Sequence, residues 1–152
     1  MTKSKYIFKP STDYLKYWRV IRYYIRAKYN ISTADLDILL FLYSEEYFSK
    51  DKFDEFDEIM SWDVNRFDRL LRDNWIVVFR KRGKEKAMYE ISYKSRRVIG
   101  WMYKYLSGEE ISENRTVNPL FKKNISYQDK VYRNAIIEMN KFIRQQRHLS
   151  RQ

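Results

Sequence analysis

The sequence contains no cysteine, and His148 is its only histidine. Disulfide bonds, thiolate metal sites and cysteine nucleophiles are therefore excluded, and one histidine cannot build a histidine-based metal cluster. A chain without disulfides is compatible with the reducing interior of a cell.

Glycine and proline are also scarce, with 3 and 2 copies in 152 residues, which leaves little room for flexible linkers. The N-terminal stretch MTKSKYIFKPSTDY lacks the apolar core of a signal peptide. No stretch approaches the roughly 18 uninterrupted apolar residues of a membrane span. We therefore expect a soluble, cytoplasmic protein without a membrane partner.

Motifs of catalysis and cofactor binding are missing as well. There is no glycine-rich phosphate loop and no GxSxG-like elbow. The carboxylates Asp54, Glu55, Asp57 and Glu58 lack the alternating oxygen ligands and the glycine of a calcium loop. We expect no catalytic residue, no cofactor and no metal, and hence no enzyme.

Positive charge and aromatic side chains are what the sequence has in excess. It contains 14 Tyr, 9 Phe and 4 Trp, and 31 Lys and Arg against 20 Asp and Glu give a net charge of +11. The local net charge is +7 over residues 1–30, −7 over 31–75, +7 over 76–105 and +4 over 106–152. A field of this size attracts polyanions, and the acidic segment lies between two basic ones.

The first half of the chain has the hydrophobic periodicity of helices. We predict a helix over 12–29 with Ser11 or Thr12 as its N-cap, a core helix over 32–46, and a short acidic helix within 48–60. Arg19, Arg22 and Arg26 form a basic ridge on the first helix. Such a ridge is typical of a solvated face, and phosphate contact is the alternative.

The most informative stretch is SWDVNRFDRLLRDNWIVVFRKRGKEKAMYEIS, residues 61–92. It predicts a helix over 61–73, capped by Ser61, with Val64, Phe67, Leu70 and Leu71 on the inner side. The outer side then carries Trp62, Asn65, Arg66, Arg69 and Arg72. Two β-branched and aromatic runs, 75–81 and 86–92, flank RGKE and predict a hairpin whose tip holds Arg80, Lys81, Arg82, Lys84 and Lys86.

Two further helices are predicted downstream. Ser92 is expected to cap a helix over 93–106 that Gly108 ends, and 108–125 is expected to be an irregular connector. The last helix, 126–149, has two apolar rows: Val131, Ala135 and Phe142, and Tyr132, Ile136, Met139 and Ile143. This is more apolar surface than a small core needs, so a partner subunit is expected to cover part of it.

This succession of helices and a hairpin resembles the winged-helix-turn-helix domain of the MarR-type transcriptional regulators. The resemblance lies in STADLDILLFL, SWDVNRFDRLLRDNWI, VVFRKRGKEKAMYEIS and ISYKSRRVIGWMY, and it covers roughly residues 12–107. Asn74 stands where such families usually have Gly before the first wing strand, and Asn tolerates the left-handed backbone that this turn requires.

The resemblance implies a mainly α fold with a small β-hairpin (α+β), a winged helix-turn-helix with N- and C-terminal dimerisation helices. It divides the chain into an N-terminal arm (1–11), a winged-helix domain (12–107), a connector (108–125) and a C-terminal helix (126–152). The implied partners are double-stranded DNA and a second copy of the chain. A small-molecule effector is also implied, in a pocket that Tyr17, Trp18, Tyr24 and Trp101 would line, although core packing is the more ordinary role of these aromatics.

The resemblance also implies how DNA would be contacted. Helix 61–73 would enter the major groove with Trp62, Asn65, Arg66 and Arg69 facing base edges, and Arg72 would contact a phosphate. The wing, 75–92, would contact the backbone or the minor groove through Arg80, Lys81, Arg82, Lys84 and Lys86.

Two other interpretations stay open from the sequence alone. A structural or adaptor protein, for example a component of a viral particle, would use the same core for protein contacts. RNA binding through exposed aromatics is a further possibility, although no RNA-module motif is present.

Overall fold

The structure, a computed structural model, describes residues 8–81, 83 and 85–151. The chain is rich in α-helix and has one small antiparallel sheet, which confirms the expected α+β class. The elements are α1 (Tyr14–Tyr29), α2 (Thr33–Leu42), β1 (Phe48–Ser49), α3 (Lys50–Asp57), α4 (Arg66–Arg72), β2 (Ile76–Arg80), β3 (Met88–Ile91), α5 (Tyr93–Leu106), a 3₁₀ helix (Pro119–Phe121) and α6 (Tyr127–Ser150).

The first two helices begin at side-chain caps. Asp13 caps α1 by accepting a hydrogen bond from the Lys16 amide, so the predicted cap at Ser11 or Thr12 is wrong by one or two residues. Ser32 caps α2 through the Asp35 amide, and this helix ends at Leu42, earlier than predicted. Helix α2 is apolar on most sides and is largely buried.

Residues 48–60 do not form a single helix. Phe48 and Ser49 pair with Tyr89 and Met88 of β3, and α3 starts immediately afterwards with Ser49 as its cap. The sheet has the order β1-β3-β2, so the predicted hairpin gains a third strand. The edge strand of a hairpin has unpaired backbone N–H and C=O groups, and the two residues of β1 pair with this edge at β3.

Helix α4 begins at Arg66, five residues later than predicted. Asp63 accepts a hydrogen bond from the Asn65 amide at 3.0 Å, and the Arg66 guanidinium donates to the Ser61 carbonyl at 2.8 Å. These bonds hold 61–65 as a turn. Ser61 is therefore no helix cap, and Val64, predicted to be in the core, is exposed.

The junction from α4 into the sheet is as expected. Asn74 has φ 61°, the left-handed conformation predicted from its place in the turn. The hairpin strands are shorter than predicted, with a register irregularity between Val78 and Arg80. Ser92 caps α5, whose bounds are the predicted ones, and Gly108 follows its end with φ 107°.

Helices α5 and α6 both pack on α1, so α1 lies at the centre of this part of the core. The rings of Tyr23 and Tyr132 stack with centroids 3.7 Å apart. Of the predicted apolar rows of α6, Ile136, Met139 and Ile143 are buried, whereas Val131 is exposed.

The connector between α5 and α6 is more ordered than predicted. The buried amide of Asn140 on α6 accepts from the Ile111 amide at 3.1 Å and donates to the Ile111 carbonyl at 2.8 Å. Asn118 donates to the Ser112 carbonyl at 2.8 Å. These bonds satisfy backbone groups that no regular element pairs.

Candidate nucleic-acid interface

Arg66, at the start of α4, is buried rather than exposed. Only 2% of this residue is accessible to solvent, and its guanidinium bonds to three separate segments of the chain. Nε donates to Asp35 on α2 at 2.9 Å, Nη1 donates to Asp57 at the end of α3, and Nη2 donates to Ser61 in the turn. Burial by itself would lower the pKa of Arg66, but the bonds to Asp57 and Asp35 raise it, so the side chain is charged.

Arg69, one turn further along, joins the same ion-pair cluster. Its Nε and Nη2 donate to the two oxygens of Asp35, both at 2.8 Å, and Nη2 also donates to Asp63 at 2.8 Å. The bonds to Asp35 and Asp63 raise the pKa of Arg69, and the bond from Arg69 lowers the pKa of Asp63. Bidentate arginine–carboxylate pairs of this kind fix orientation as well as charge.

The predicted outer face of α4 is therefore wrong for Arg66 and only partly right for Arg69. Arg66 lies four residues before the buried Leu70 and shares its helix face, which is the signal that sequence reasoning missed. Asp35 lies in the first turn of α2 and is a buried carboxylate that two arginines neutralise.

Three of the contact residues predicted for helix 61–73 do face solvent, and two of them lie in the turn before α4. Trp62 is 89% exposed, Asn65 is exposed, and the Arg72 side chain is 71% exposed. Within the described part of the chain, Arg72 pairs only with its neighbour Asp73, at 3.0 Å, and a surface pair of this kind is weak enough to be exchanged for a phosphate. Asp68 is also exposed on α4, so this surface carries both signs of charge.

The hairpin supplies a second set of cations. Arg80, Lys81 and Lys86 are exposed. Arg80 lies 4.0 Å from Glu85, and Lys86 lies 3.0 Å from Asp51 at the start of α3. The predicted contacts Arg82 and Lys84 lie outside the described residues.

An aromatic cluster joins α4 to the sheet. Phe67 on the inner side of α4 packs edge-on against Phe53 of α3, with centroids 4.9 Å apart, and against Tyr89 of β3, with centroids 5.0 Å apart. Phe48 of β1 stacks on Tyr89 at 6.3 Å. Helices α3 and α4 and strands β1 and β3 are therefore joined in one packed unit.

Only two of the four aromatics considered for an effector pocket come together. Tyr24 is buried and packs against Tyr105, and it lines the same groove as Trp101. Tyr17 packs against Phe142 and lines a different cavity. Trp18 is a partly buried residue at the edge of the core.

The described parts of the chain contain neither a candidate metal site nor a candidate membrane-spanning helix. No group of three or more His, Asp or Glu side chains there is arranged to hold a metal ion. No helix in that part combines the length and the apolar character needed to cross a membrane.

No protein-family model matches the chain, and neither a curated protein nor a solved structure is significantly similar to it.

Proposed function

We propose that the protein is a non-catalytic, winged-helix protein that binds double-stranded DNA, with α4 in the major groove and the β2–β3 hairpin as the wing. The observation that carries the proposal is the succession of α2, α3, α4 and a hairpin joined by the Phe67 cluster. This is the order of elements on which the resemblance to MarR-type regulators rests. Strand β1 adds to it by tying the hairpin to the start of α3.

The proposed contacts differ from a simple outer face of α4. Asn65 and Trp62 would face base edges. The amide side chain of Asn65 can pair with adenine in bidentate fashion. Arg72 would contact a phosphate, and Arg80, Lys81 and Lys86 would contact backbone together with Arg82 and Lys84. Arg66 and Arg69 take no direct part, since the ion-pair cluster occupies them.

The charge around α4 indicates where the affinity would arise. Asp63 and Asp68 lie beside the proposed base contacts, and carboxylates repel phosphates. The hairpin has five basic residues among 80–86 and only one acidic residue, Glu85. We therefore infer that the wing supplies most of the electrostatic attraction and that α4 supplies orientation.

The test is a fluorescence-anisotropy titration of a mixed pool of labelled duplexes at two salt concentrations. If the protein neutralises about four phosphates, its affinity falls about 100-fold between about 50 and about 200 mM salt. The variant Lys81→Ala/Lys86→Ala is expected to bind more weakly at low salt and to have a shallower salt dependence. Asn65→Ala/Arg72→Ala is expected to weaken binding and reduce preference among sequences.

The matched control is Lys122→Ala/Lys123→Ala, which removes the same charge from the exposed connector. This control should retain nearly all of the affinity for duplex DNA if binding depends on the position of the charges and not only on the net charge. A folded wild-type protein that does not bind duplex at low salt would contradict the proposal, as would an equal loss in the control and the hairpin variant.

We also propose that two copies pair through α1 and α6, as the resemblance implies. The two helices run antiparallel, because Tyr17 contacts Phe142 while Tyr23 stacks on Tyr132. This brings the start of α1 near the end of α6, where Tyr14, Leu15 and Leu149 are exposed. An isologous contact at this apolar end would cover them.

A second candidate function, a protein adaptor, is favoured by one observation. Ile59, Trp62 and Val64 are all exposed between α3 and α4, and Glu58 and Asp63 lie beside them in the sequence. A large apolar residue among carboxylates suits a protein surface better than a phosphate backbone. In that case the folded protein would show little duplex binding and almost no salt dependence in the titration above.

A further inference from the structure

A groove lies between the end of α1, α5, the start of β2 and the connector. Its volume is about 820 Å³, within the range of small-ligand sites. Asn74 and Val77 close it at the base of the sheet, and Ser112 and Val117 close it on the connector side.

The charge of this groove is positive. Lys28, Lys94 and Arg97 line it, and Glu110 is the one carboxylate among its lining residues. Glu110 is already matched by Arg144 at 2.7 Å and by Arg147 at 3.1 Å. The three cations of the groove are therefore not neutralised by the acidic residue that shares it, and an anion entering the groove would be attracted.

Each of these cations lies next to an aromatic ring. The Lys28 ammonium is 5.6 Å from the Tyr29 centroid, and that of Lys94 is 3.9 Å from the Trp75 centroid. The Arg97 guanidinium is 5.9 Å from the ring of Tyr93, which is itself largely exposed. Tyr29 and Tyr93 line the groove, so these cation–π contacts keep Lys28 and Arg97 at its wall. Trp75 is not a lining residue, and the Lys94 ammonium also donates to the Asp73 carbonyl at 3.1 Å.

Trp101 gives the groove an exposed flat surface. Its indole lines the groove and is partly open to solvent, although on α5 it already contacts Tyr105, at a ring separation of 5.6 Å, and Lys104. A large apolar ring left in contact with water beside several cations is the combination that binds a base and its phosphate together. Tyr93, also on α5, adds a second exposed ring to the same groove.

We propose that this groove binds a nucleotide unit, with the base stacked on Trp101 or Tyr93 and the phosphate held by Lys28 and Arg97. A duplex does not offer its base faces, because they are stacked on one another inside the helix. The groove therefore selects either a single-stranded nucleic acid or a free nucleotide, and it acts independently of the proposed duplex surface. Both sources share the chemistry of an aromatic base joined to a phosphate.

The experiment measures binding of two probes by calorimetry: a single strand of about 12 nucleotides and adenosine monophosphate. Trp101→Ala is expected to weaken binding of the true ligand about tenfold or more, the effect of removing one stacking platform. Lys28→Ala/Arg97→Ala is expected to weaken it as well, and this loss should shrink as salt is raised.

One matched control removes an exposed ring from the same helix, and the other removes the same amount of charge from another part of the surface. Tyr103→Ala removes an exposed ring of α5 that packs on Tyr43 and does not line the groove, and Lys122→Ala/Lys123→Ala removes two charges elsewhere. Both are expected to bind the probes as the wild type does. The melting temperature of each variant shows whether it is folded.

The possible outcomes distinguish single strands from free nucleotides, and they distinguish binding in the groove from the proposed binding of duplex DNA. Binding of the strand but not of the monophosphate assigns the groove to single strands, and comparable binding of both assigns it to free nucleotides. Failure of both probes, or unchanged binding in both groove variants, overturns the proposal whatever the duplex titration gives. An equal loss of duplex and single-strand binding in the groove variants also overturns it, because the groove would then be part of one common surface.

Discussion

At the scale of single residues, the ion-pair cluster of Asp35, Asp57, Asp63, Arg66 and Arg69 fixes the position of α4. Arg66 contacts α2, the end of α3 and the turn at Ser61, so one side chain joins three segments. Buried charges of this kind add little stability compared with a well-packed apolar pair. Removing one partner is costly because the other charge is left without compensation.

We therefore expect Arg66→Ala to lower the free energy of unfolding by about 3 to 5 kcal/mol. Asp35, which is buried, would lose one of its two arginine partners, and Ser61 would lose the donor that holds the turn. Urea unfolding followed by circular dichroism measures the change.

Arg72→Ala is the matched comparison, because this side chain is exposed and pairs only with its neighbour. Its loss should cost less than about 1 kcal/mol. Equal destabilisation by the two substitutions would show that the cluster has no special role. A loss of DNA binding in Arg66→Ala would then have to be interpreted as loss of a contact and not as loss of the fold.

At the scale of elements, the junction between α4 and β2 depends on one backbone conformation. Asn74 has φ 61°, and its amide donates to the Leu71 carbonyl at 3.2 Å, which ends the helix. Trp75 follows at once and is buried, and its carbonyl accepts bonds from the Ser92 amide and the Ser95 hydroxyl. A left-handed residue at 74 is what allows the chain to enter the sheet directly.

The stability of variants at Asn74 should depend on how readily the new residue adopts the left-handed conformation. Asn74→Ala is expected to destabilise the protein by about 1 kcal/mol, since a Cβ without a polar group disfavours the left-handed region. Asn74→Gly should be neutral or slightly stabilising, because glycine adopts this conformation freely. Thermal unfolding of the two variants distinguishes the cases, and a destabilised glycine variant would contradict the explanation.

The same elements indicate how far the sequence alone could lead. Helix α5 was predicted with its observed bounds because Ser92 and Gly108, both local signals, mark its ends. The predicted start of α4 was wrong because Ser61 is an acceptable helix cap and the helical wheel of 61–73 is amphipathic. The hydrogen bonds that keep 61–65 out of the helix are made by the side chains of Asp63 and Arg66. The burial of Arg66 depends on Asp35, 31 residues earlier, and β1 depends on β3, which local patterns do not report.

At the scale of the whole molecule, charges of the two signs are concentrated in different parts of the chain. Residues 31–75, which include α3 and the turn before α4, contain 12 of the 20 carboxylates, while the hairpin and the groove beside α5 are basic. The exposed apolar residues Tyr14, Leu15 and Leu149 lie at the start of α1 and the end of α6, whereas Lys28 of the groove lies at the other end of α1.

Pairing through this end predicts a concentration-dependent mass. Sedimentation equilibrium should give twice the mass of one chain at high concentration, and Leu15→Asp/Leu149→Asp should give the mass of one chain, because an isologous contact would bury four carboxylates together. Val131→Asp places a charge on an exposed residue at the other end of α6 and should leave the dimer intact. If duplex binding depends on two half-sites, the Leu15→Asp/Leu149→Asp variant would also bind more weakly with its hairpin unchanged. A wild-type chain that sediments as a monomer throughout would leave DNA contact to a single α4 and a single hairpin.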